Sequence, residues 1–181
     1  MGKEVTIASE RIYEGRLIGL RVDTVRPPGR RVAHREVVDS VAIVALDEAK
    51  NLLLVRQYRK PTEKELFEIP AGTLEEGEEP ESCARRELQE ETGYVAGSLE
   101  RLCGFYPTPG HCEEYIQIYL AQGLEPSGRG GEADETYWFS WPQVLEMIDR
   151  GEIEDAKTII GLLVLWARSD SVLSPGRREQ V

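Results

Sequence analysis

The chain has 181 residues, of which 40% are hydrophobic and 30% are charged. This length and balance predict one ordinary folded domain, or a domain with a small appendage. The formal net charge of −11 disfavours binding to nucleic acid, whose backbone rewards basic patches. No apolar run approaches the ~18 residues of a membrane span, and residues 1–15 lack the apolar segment of a signal peptide. We therefore expect a cytoplasmic protein that binds neither nucleic acid nor membrane.

The chain contains three cysteines, Cys83, Cys103 and Cys112, and none of them forms a CxxC pair. An odd number without such pairing disfavours a disulfide framework or a structural zinc site. We expect buried, reduced thiols, which also fits the cytoplasm.

The first part of the chain is rich in short apolar runs, which predict strands at 12–25, 32–38, 41–46, 52–55 and 66–69. Pro27-Pro28-Gly29 is a turn signal between the first two runs. The runs at 41–46 and 52–55 are apolar throughout, which indicates strands that are covered on both faces.

A helix is predicted from Pro80 to Thr92, after a loop at 70–79. Proline suits the first helical position, and Gly93 suits the stop that follows the last turn. Glu79 is a poor N-cap compared with serine or aspartate. The loop must therefore hold the start of this helix by other means.

The second half of the chain predicts strands at 99–105, 115–120 and 137–139, and helices at 142–150 and 156–168. Strands with helices on both faces define an α/β (α+β) class. The order of elements is mixed rather than a regular βαβ repeat.

Three carboxylates of the first helix share one sector, because Glu87, Glu90 and Glu91 are spaced i, i+3 and i+4. Like charges at this spacing cost about 0.2–0.5 kcal/mol per pair, and a bound divalent cation would remove that repulsion. Oxygen ligands select Mg²⁺, or Mn²⁺, over Zn²⁺. The alternative is an acidic helix that simply faces solvent.

Eight residues around this helix share a fixed spacing, and they resemble the Nudix hydrolase signature: Gly72, Glu78, Arg86, Glu87, Leu88, Glu90, Glu91 and Gly93. Tyr94 departs from the signature, which has an aliphatic residue at that place. The flanking sequence resembles the ADP-ribose pyrophosphatase branch of the family, in which Pro109 occupies the place of a marker proline.

The resemblance implies a Nudix fold, with a mixed β-sheet sandwiched between helices and an N-terminal antiparallel strand subdomain. The expected division is 1–39 for a dimerising N-terminal β subdomain, 40–169 for the hydrolase domain and 170–181 for a flexible tail. A homodimer is expected, because solitary N-terminal strands would leave open edges and similar enzymes exchange them across a two-fold axis.

The resemblance also assigns roles to individual residues. The Ala71 carbonyl, Glu87, Glu90 and Glu91 are candidate ligands for Mg²⁺, with Mn²⁺ possible. The candidate substrate-binding residues are Arg59, Pro109 and, from the neighbouring subunit, Arg35. Glu78 and Arg86 are expected to join the loop to the helix by a charge pair.

The catalytic candidates are Glu90, Glu114 and Glu132, and the general base is left open among these and Glu135. The loop before the last strand is usually a dense acidic run in similar proteins, but here glycines replace several acids between Gly128 and Glu135. This departure predicts a mobile lid or a solvated loop.

The implied reaction is magnesium-dependent hydrolysis of the diphosphate bond of ADP-ribose, which yields AMP and ribose 5-phosphate. One alternative is another nucleoside diphosphate sugar, such as GDP-mannose, or a broad housecleaning range. An alternative of another class is a module that senses ADP-ribose without cleaving it.

Overall fold

A computed structural model describes residues 5–26, 30–128 and 135–168. The elements in chain order are β1 (Val5–Glu14), β2 (Ile18–Arg26), β3 (Arg30–Val37), β4 (Ser40–Leu46), β5 (Leu52–Arg59), β6 (Lys64–Glu68), β7 (Ala71–Thr73), α1 (Pro80–Thr92), β8 (Tyr94–Phe105), β9 (Ile116–Pro126), β10 (Glu135–Phe139), α2 (Trp141–Asp149) and α3 (Ala156–Arg168). Within these ranges, no helix combines the length and apolarity needed to cross a bilayer.

The larger sheet has seven strands in the order β10-β5-β4-β9-β8, with β6 paired to β5 and β7 paired to β4. Strands β4 and β9 run parallel, and the other pairs are antiparallel. The predicted mixed sheet is therefore confirmed.

Strand β4 lies at the centre of this sheet and is buried on both faces. Because side chains alternate along a strand, Val41 and Ile43 pack with Leu88 of α1, whereas Val44 and Leu46 pack with α2 and α3. This arrangement explains the continuous apolar run and confirms the sandwich of the sheet between helices.

The smaller sheet is antiparallel, with the order β1-β2-β3. Its connection to the rest of the chain includes two backbone hydrogen bonds: the Arg35 amide donates to the His111 carbonyl at 2.8 Å, and the Glu113 amide donates to the Arg35 carbonyl at 3.4 Å. The predicted N-terminal antiparallel strands are confirmed, and the boundary at 39 stays a prediction.

Three parts of the sequence-based assignment were wrong. The run at 12–25, expected to be one strand, is divided between the end of β1 and most of β2, because the chain reverses at 15–17 and the two strands pair with each other. The segment expected to be a loop at 70–79 begins with the strand β7, because its backbone pairs with β4. Strands β8 and β9 are longer than predicted, because they pair from Tyr94 with Pro126 to Phe105 with Ile116. The predicted turn at Pro27-Pro28-Gly29 and the tail at 170–181 lie outside the described residues.

Candidate active site

Helix α1 begins and ends where the sequence predicted. Gly93 adopts a φ of 76°, and its amide donates to the Gln89 carbonyl at 2.9 Å. At the other end, the Glu79 side chain makes no capping hydrogen bond. Ala84 and Leu88 are fully buried, so the rotation of the helix about its axis is fixed. This rotation directs Glu87 and Glu91 toward β7.

The start of α1 is joined to the preceding loop by an ion pair between Arg86 and Glu78. Arg86 donates to both carboxylate oxygens of Glu78, each at 2.9 Å. The hydrogen bonds from Arg86 lower the pKa of Glu78 to about 2. The predicted charge pair is therefore present, and it joins the loop to the helix.

Glu87 packs directly against the backbone of Gly72. A Cβ atom at residue 72 would overlap the Glu87 carboxylate, so only glycine fits at this contact. Burial raises the pKa of Glu87, against the opposing effect of Arg86, whose Nη1 donates to Glu87 Oε1 at 2.7 Å. Glycine at position 72, which lies in strand β7, therefore lets the Glu87 carboxylate approach the backbone closely.

Glu91 is held by hydrogen bonds to both of its carboxylate oxygens. Gln57 Nε2 donates to Oε1 at 2.9 Å, and the Ala71 amide donates to Oε2 at 3.0 Å. Burial raises the pKa of Glu91, and these two hydrogen bonds oppose the rise. The carboxylate therefore has a fixed orientation and an unfavourable charge, which a nearby cation would stabilise.

Glu90 lies on the outer side of the same helix. Its side chain is 49% exposed and pairs with Arg86 Nη1 at 2.9 Å. The three carboxylates that the sequence placed in one sector thus divide into two that are partly buried, Glu87 and Glu91, and one that is exposed.

A cavity of about 480 Å³ lies beside these groups. It opens between the N-terminal sheet and one end of the larger sheet, and its lining includes Arg59, Ala71, Gly72, Glu114 and Lys157. Glu114 Oε1 accepts a hydrogen bond from Ser40 at 2.9 Å. Arg59 donates to both oxygens of Glu68, at 2.7 and 2.6 Å.

The structure separates other candidate residues from this cavity. Pro109 lines a second cavity of about 410 Å³, with Arg21 and His34 among its other lining residues. Arg35 is exposed on β3, and its expected contact with the site of a neighbouring subunit stays a prediction. Glu132 lies outside the described residues.

Glu87 and Glu91 are the groups that could hold a metal ion. Within 5–26, 30–128 and 135–168, no three histidine, cysteine, aspartate or glutamate side chains converge as a ligand cluster. Magnesium often takes only one or two carboxylates and completes its shell with water and substrate phosphates. Two partly buried carboxylates next to the Ala71 backbone fit that mode of binding. Their donor set is oxygen alone, which suits magnesium better than zinc, whose protein sites rely mainly on cysteine and histidine.

Several residues of the site had no role in the sequence prediction: Ser40, Gln57, Glu68, Pro107 and Lys157. Gln57 lies in the flanking sequence that resembles the ADP-ribose pyrophosphatase branch, so its position was a signal. Lys157 contacts Glu68 across 89 positions of the chain, and no local pattern indicates that contact.

A family model for the NUDIX domain matches residues 37–161 of the chain. The chain is 39% identical over 171 residues to "ADP-ribose pyrophosphatase" of Bacillus subtilis (strain 168), covering 90% of this chain and 92% of the relative. It is also 39% identical over 176 residues to "Methanol dehydrogenase activator" of Bacillus methanolicus, with 91% and 95% covered.

A third relative is "GDP-mannose pyrophosphatase" of Escherichia coli O1:K1 / APEC, 33% identical over 180 residues, with 88% of this chain and 94% of the relative covered. A solved structure, "Crystal structure of ADP compounds hydrolase", has the same fold with a TM-score of 0.79 at 22% identity, covering 92% of this chain and 94% of that chain.

The chain belongs to the Nudix hydrolase family. Within the family it lies in the branch of ADP-ribose and other nucleoside diphosphate sugar pyrophosphatases. Members of the family generally use divalent metal ions.

Proposed function

We propose that this protein hydrolyses ADP-ribose to AMP and ribose 5-phosphate with Mg²⁺ as cofactor. The observation that carries the proposal is the packing of Glu87 against Gly72 and of Glu91 against Ala71, which places two fixed carboxylates beside a cavity that also contains Arg59. The choice of ADP-ribose is supported by the 39% identity to a relative of that name.

Glu87, Glu91 and the Ala71 carbonyl would hold the metal ion. When bound, Mg²⁺ neutralises phosphate charge and lowers the pKa of water. Arg59 would bind a phosphoryl oxygen, because Glu68 already fixes its guanidinium at the cavity wall. Most of the rate enhancement would come from positioning and charge neutralisation.

We assign the general base to Glu114 among the candidates from the sequence. Glu114 lines the cavity and is oriented by Ser40, whereas Glu90 is paired with Arg86. A base must reach the attacking water, directly or through one other water, and the place of Glu114 in the cavity wall supports this assignment.

A substrate panel tests the proposed reaction. Purified protein with Mg²⁺ is assayed for kcat/KM with ADP-ribose, ADP-glucose, GDP-mannose, NADH and diadenosine polyphosphates. We expect ADP-ribose to be among the best substrates. If GDP-mannose is strongly preferred, the assignment of ADP-ribose as substrate is wrong, although the reaction class is still correct. The similarity to a GDP-mannose pyrophosphatase makes GDP-mannose the main alternative substrate.

A second candidate function belongs to another class, because one relative is named for activating a dehydrogenase. The chain would then regulate a partner enzyme or sense ADP-ribose without cleaving it. The Glu91→Gln variant separates these functions, since an enzyme loses turnover whereas a non-catalytic sensor keeps its response to the ligand.

We further propose that the protein is a cytoplasmic homodimer. Strand β1 carries exposed apolar side chains, including Ile7 at 51% and Val5 at 59%, and a second subunit would cover them. Light scattering should report a dimer, and Ile7→Asp should shift it toward monomer. A wild-type monomer at micromolar concentration would contradict the proposal.

A further inference from the structure

Strand β5 brings two polar side chains toward the cavity from one of its faces. Gln57 and Arg59 are two positions apart on this strand, so their side chains point to the same side of the sheet. Arg59 lines the cavity, and Gln57 Nε2 donates to Glu91 Oε1 at 2.9 Å. One strand face therefore contacts both a candidate metal-binding carboxylate and the cavity in which the diphosphate would lie.

The hydrogen bonds to Glu91 leave acceptor sites for a cation. A carboxylate has about four lone-pair sites, shared between its two oxygens. Gln57 takes one site on Oε1, and the Ala71 amide takes one site on Oε2 at 3.0 Å. Each oxygen therefore keeps a lone pair, while the two hydrogen bonds together restrict rotation of the carboxylate group.

The hydrogen-bonding partners of Glu91 and Glu87 differ in charge. Glu87 Oε1 accepts from the guanidinium of Arg86 at 2.7 Å, which offsets part of its negative charge. Glu91 accepts from one side-chain amide and one backbone amide, both neutral, and Arg59 acts on it only through the longer-range charge interaction. Gln57 thus orients Glu91 without supplying a positive charge, so the negative charge of the carboxylate stays available to a metal ion.

We propose that Gln57 is a positioning residue that holds Glu91 in the orientation in which it binds the metal ion. This inference rests on the proposed function, since it requires a metal-dependent site at Glu91. Metal ligands are commonly oriented by such outer hydrogen bonds, whose loss typically lowers metal affinity or activity about 10–100-fold. Because Gln57 and Arg59 share one face of β5, the same strand sets the metal ion and the phosphate-binding arginine relative to each other.

The test is the metal affinity of Gln57→Met, which keeps the length of the side chain but removes its N–H donors. Two metal constants are measured: the dissociation constant for Mn²⁺ without substrate, by electron paramagnetic resonance, and the Mg²⁺ concentration for half-maximal hydrolysis of ADP-ribose. We expect Gln57→Met to raise both constants on the order of tenfold. Its kcat at saturating Mg²⁺ should change less, because the ligand Glu91 is still present.

Gln57→Lys separates the hydrogen-bond donor from its neutrality. Lysine can still donate to Glu91, but its positive charge competes with the metal ion for the carboxylate. We therefore expect Mn²⁺ binding at least as weak as in Gln57→Met. An affinity for Mn²⁺ like that of wild type in Gln57→Lys would contradict the proposal.

Gln117→Met is a matched control. Gln117 is also a half-buried glutamine of the larger sheet, and its Oε1 accepts from the charged side chain of Arg101 at 2.9 Å. It is not among the described residues that line the cavity. Its substitution should leave both metal constants unchanged.

A purely structural role for Gln57 has a different outcome. Gln57→Met would then lower the melting temperature while both metal constants stay within about twofold of wild type, and the inference would be overturned. Mn²⁺ binding needs no turnover, so it tests the inference even if ADP-ribose is not the substrate. If wild type neither binds Mn²⁺ nor responds to Mg²⁺, the proposed function fails together with the inference; a metal response in wild type that both variants share overturns the inference alone.

Discussion

The two sheets of this protein are both joined by backbone pairing between neighbouring strands, but their side chains are buried to very different extents. Strand β4 of the larger sheet is buried along all but its first residue. Strand β1 of the smaller sheet is exposed along its whole length, and its apolar residues Ile7 and Ile12 are each 51% exposed. Strand pairing alone therefore does not distinguish the two regions; side-chain packing does.

This difference assigns separate tasks to the two regions. Most charged groups of the site lie on the larger sheet and on helices packed against it, where their positions are fixed. The smaller sheet contributes apolar residues to the wall of the same cavity, including Leu17 and Val37. Most charged groups of the site thus belong to the well-packed larger sheet and its helices, whereas the shape of the cavity depends in part on the less packed smaller sheet.

The largest effect is expected from Glu91→Gln, which should lower kcat/KM for ADP-ribose on the order of a thousandfold. A loss of this size corresponds to several kcal/mol of transition-state stabilisation that depends on the metal ion. The fold should persist, because the new amide oxygen can still accept from the Ala71 amide and its NH₂ can donate to the side-chain oxygen of Gln57 once that amide turns over. Glu81→Gln is the control, since Glu81 is exposed and pairs only with Arg85 among the ion pairs of the described residues. Activity in Glu91→Gln near that of wild type would show that the rigid region does not supply the chemistry.

The next effect concerns packing in the two sheets. Leu88→Ala should lower the free energy of unfolding by about 3 kcal/mol, because the site is fully buried against β4. Ile12→Ala should cost less than about 0.5 kcal/mol if the smaller sheet stays exposed. Urea unfolding measures both values, and a cost for Ile12→Ala close to that for Leu88→Ala would mean that a second subunit buries β1.

A smaller change in stability, with a loss of activity, is expected from Gly72→Ala. The added Cβ would overlap the Glu87 carboxylate, so Glu87 must move, at a cost of about 1–3 kcal/mol. Gly19→Ala is the counterpart in the smaller sheet, where the nearest atom, Glu36 Oε2, would lie 3.1 Å from the new Cβ. Unfolding curves and kcat/KM are measured for both, and equal losses of activity would contradict the separation of tasks.

The smallest effect is a dependence of stability on pH. The pKa of Glu78 is lowered from 4.5 to about 2 in the folded protein. The contribution of ionised Glu78 to the free energy of unfolding is present above pH 4.5 and is lost as the pH falls toward 2. Urea unfolding at pH 7 and pH 3 should show a smaller difference in Glu78→Gln than in wild type.

Asp23 offers the corresponding test in the smaller sheet. The hydrogen bond from Ser9 lowers the pKa of Asp23, assisted by Arg21. Asp23→Asn should therefore also reduce the loss of stability between pH 7 and pH 3. If Asp23→Asn leaves the pH dependence unchanged and Glu78→Gln reduces it, the cooperative unfolding transition reports the larger sheet alone.

Much of the fold followed from local patterns. The apolar run at 41–46 predicted a strand covered on both faces, and proline at 80 and glycine at 93 predicted the ends of α1, all of which are observed. Strand β7 was not predicted, because its three residues pair with β4 through the backbone. The longer ends of β8 and β9 were missed for the same reason.

The sequence by itself determined the acidic helix, the glycine before it and the charge pair that joins them, because these depend on spacing within 22 positions from Gly72 to Gly93. The tertiary structure decided which carboxylates are buried, that Pro109 lies in a second cavity, and that Glu68 holds Arg59 and Lys157 together. Such contacts join side chains from distant strands and helices, so they exist only after the core has packed.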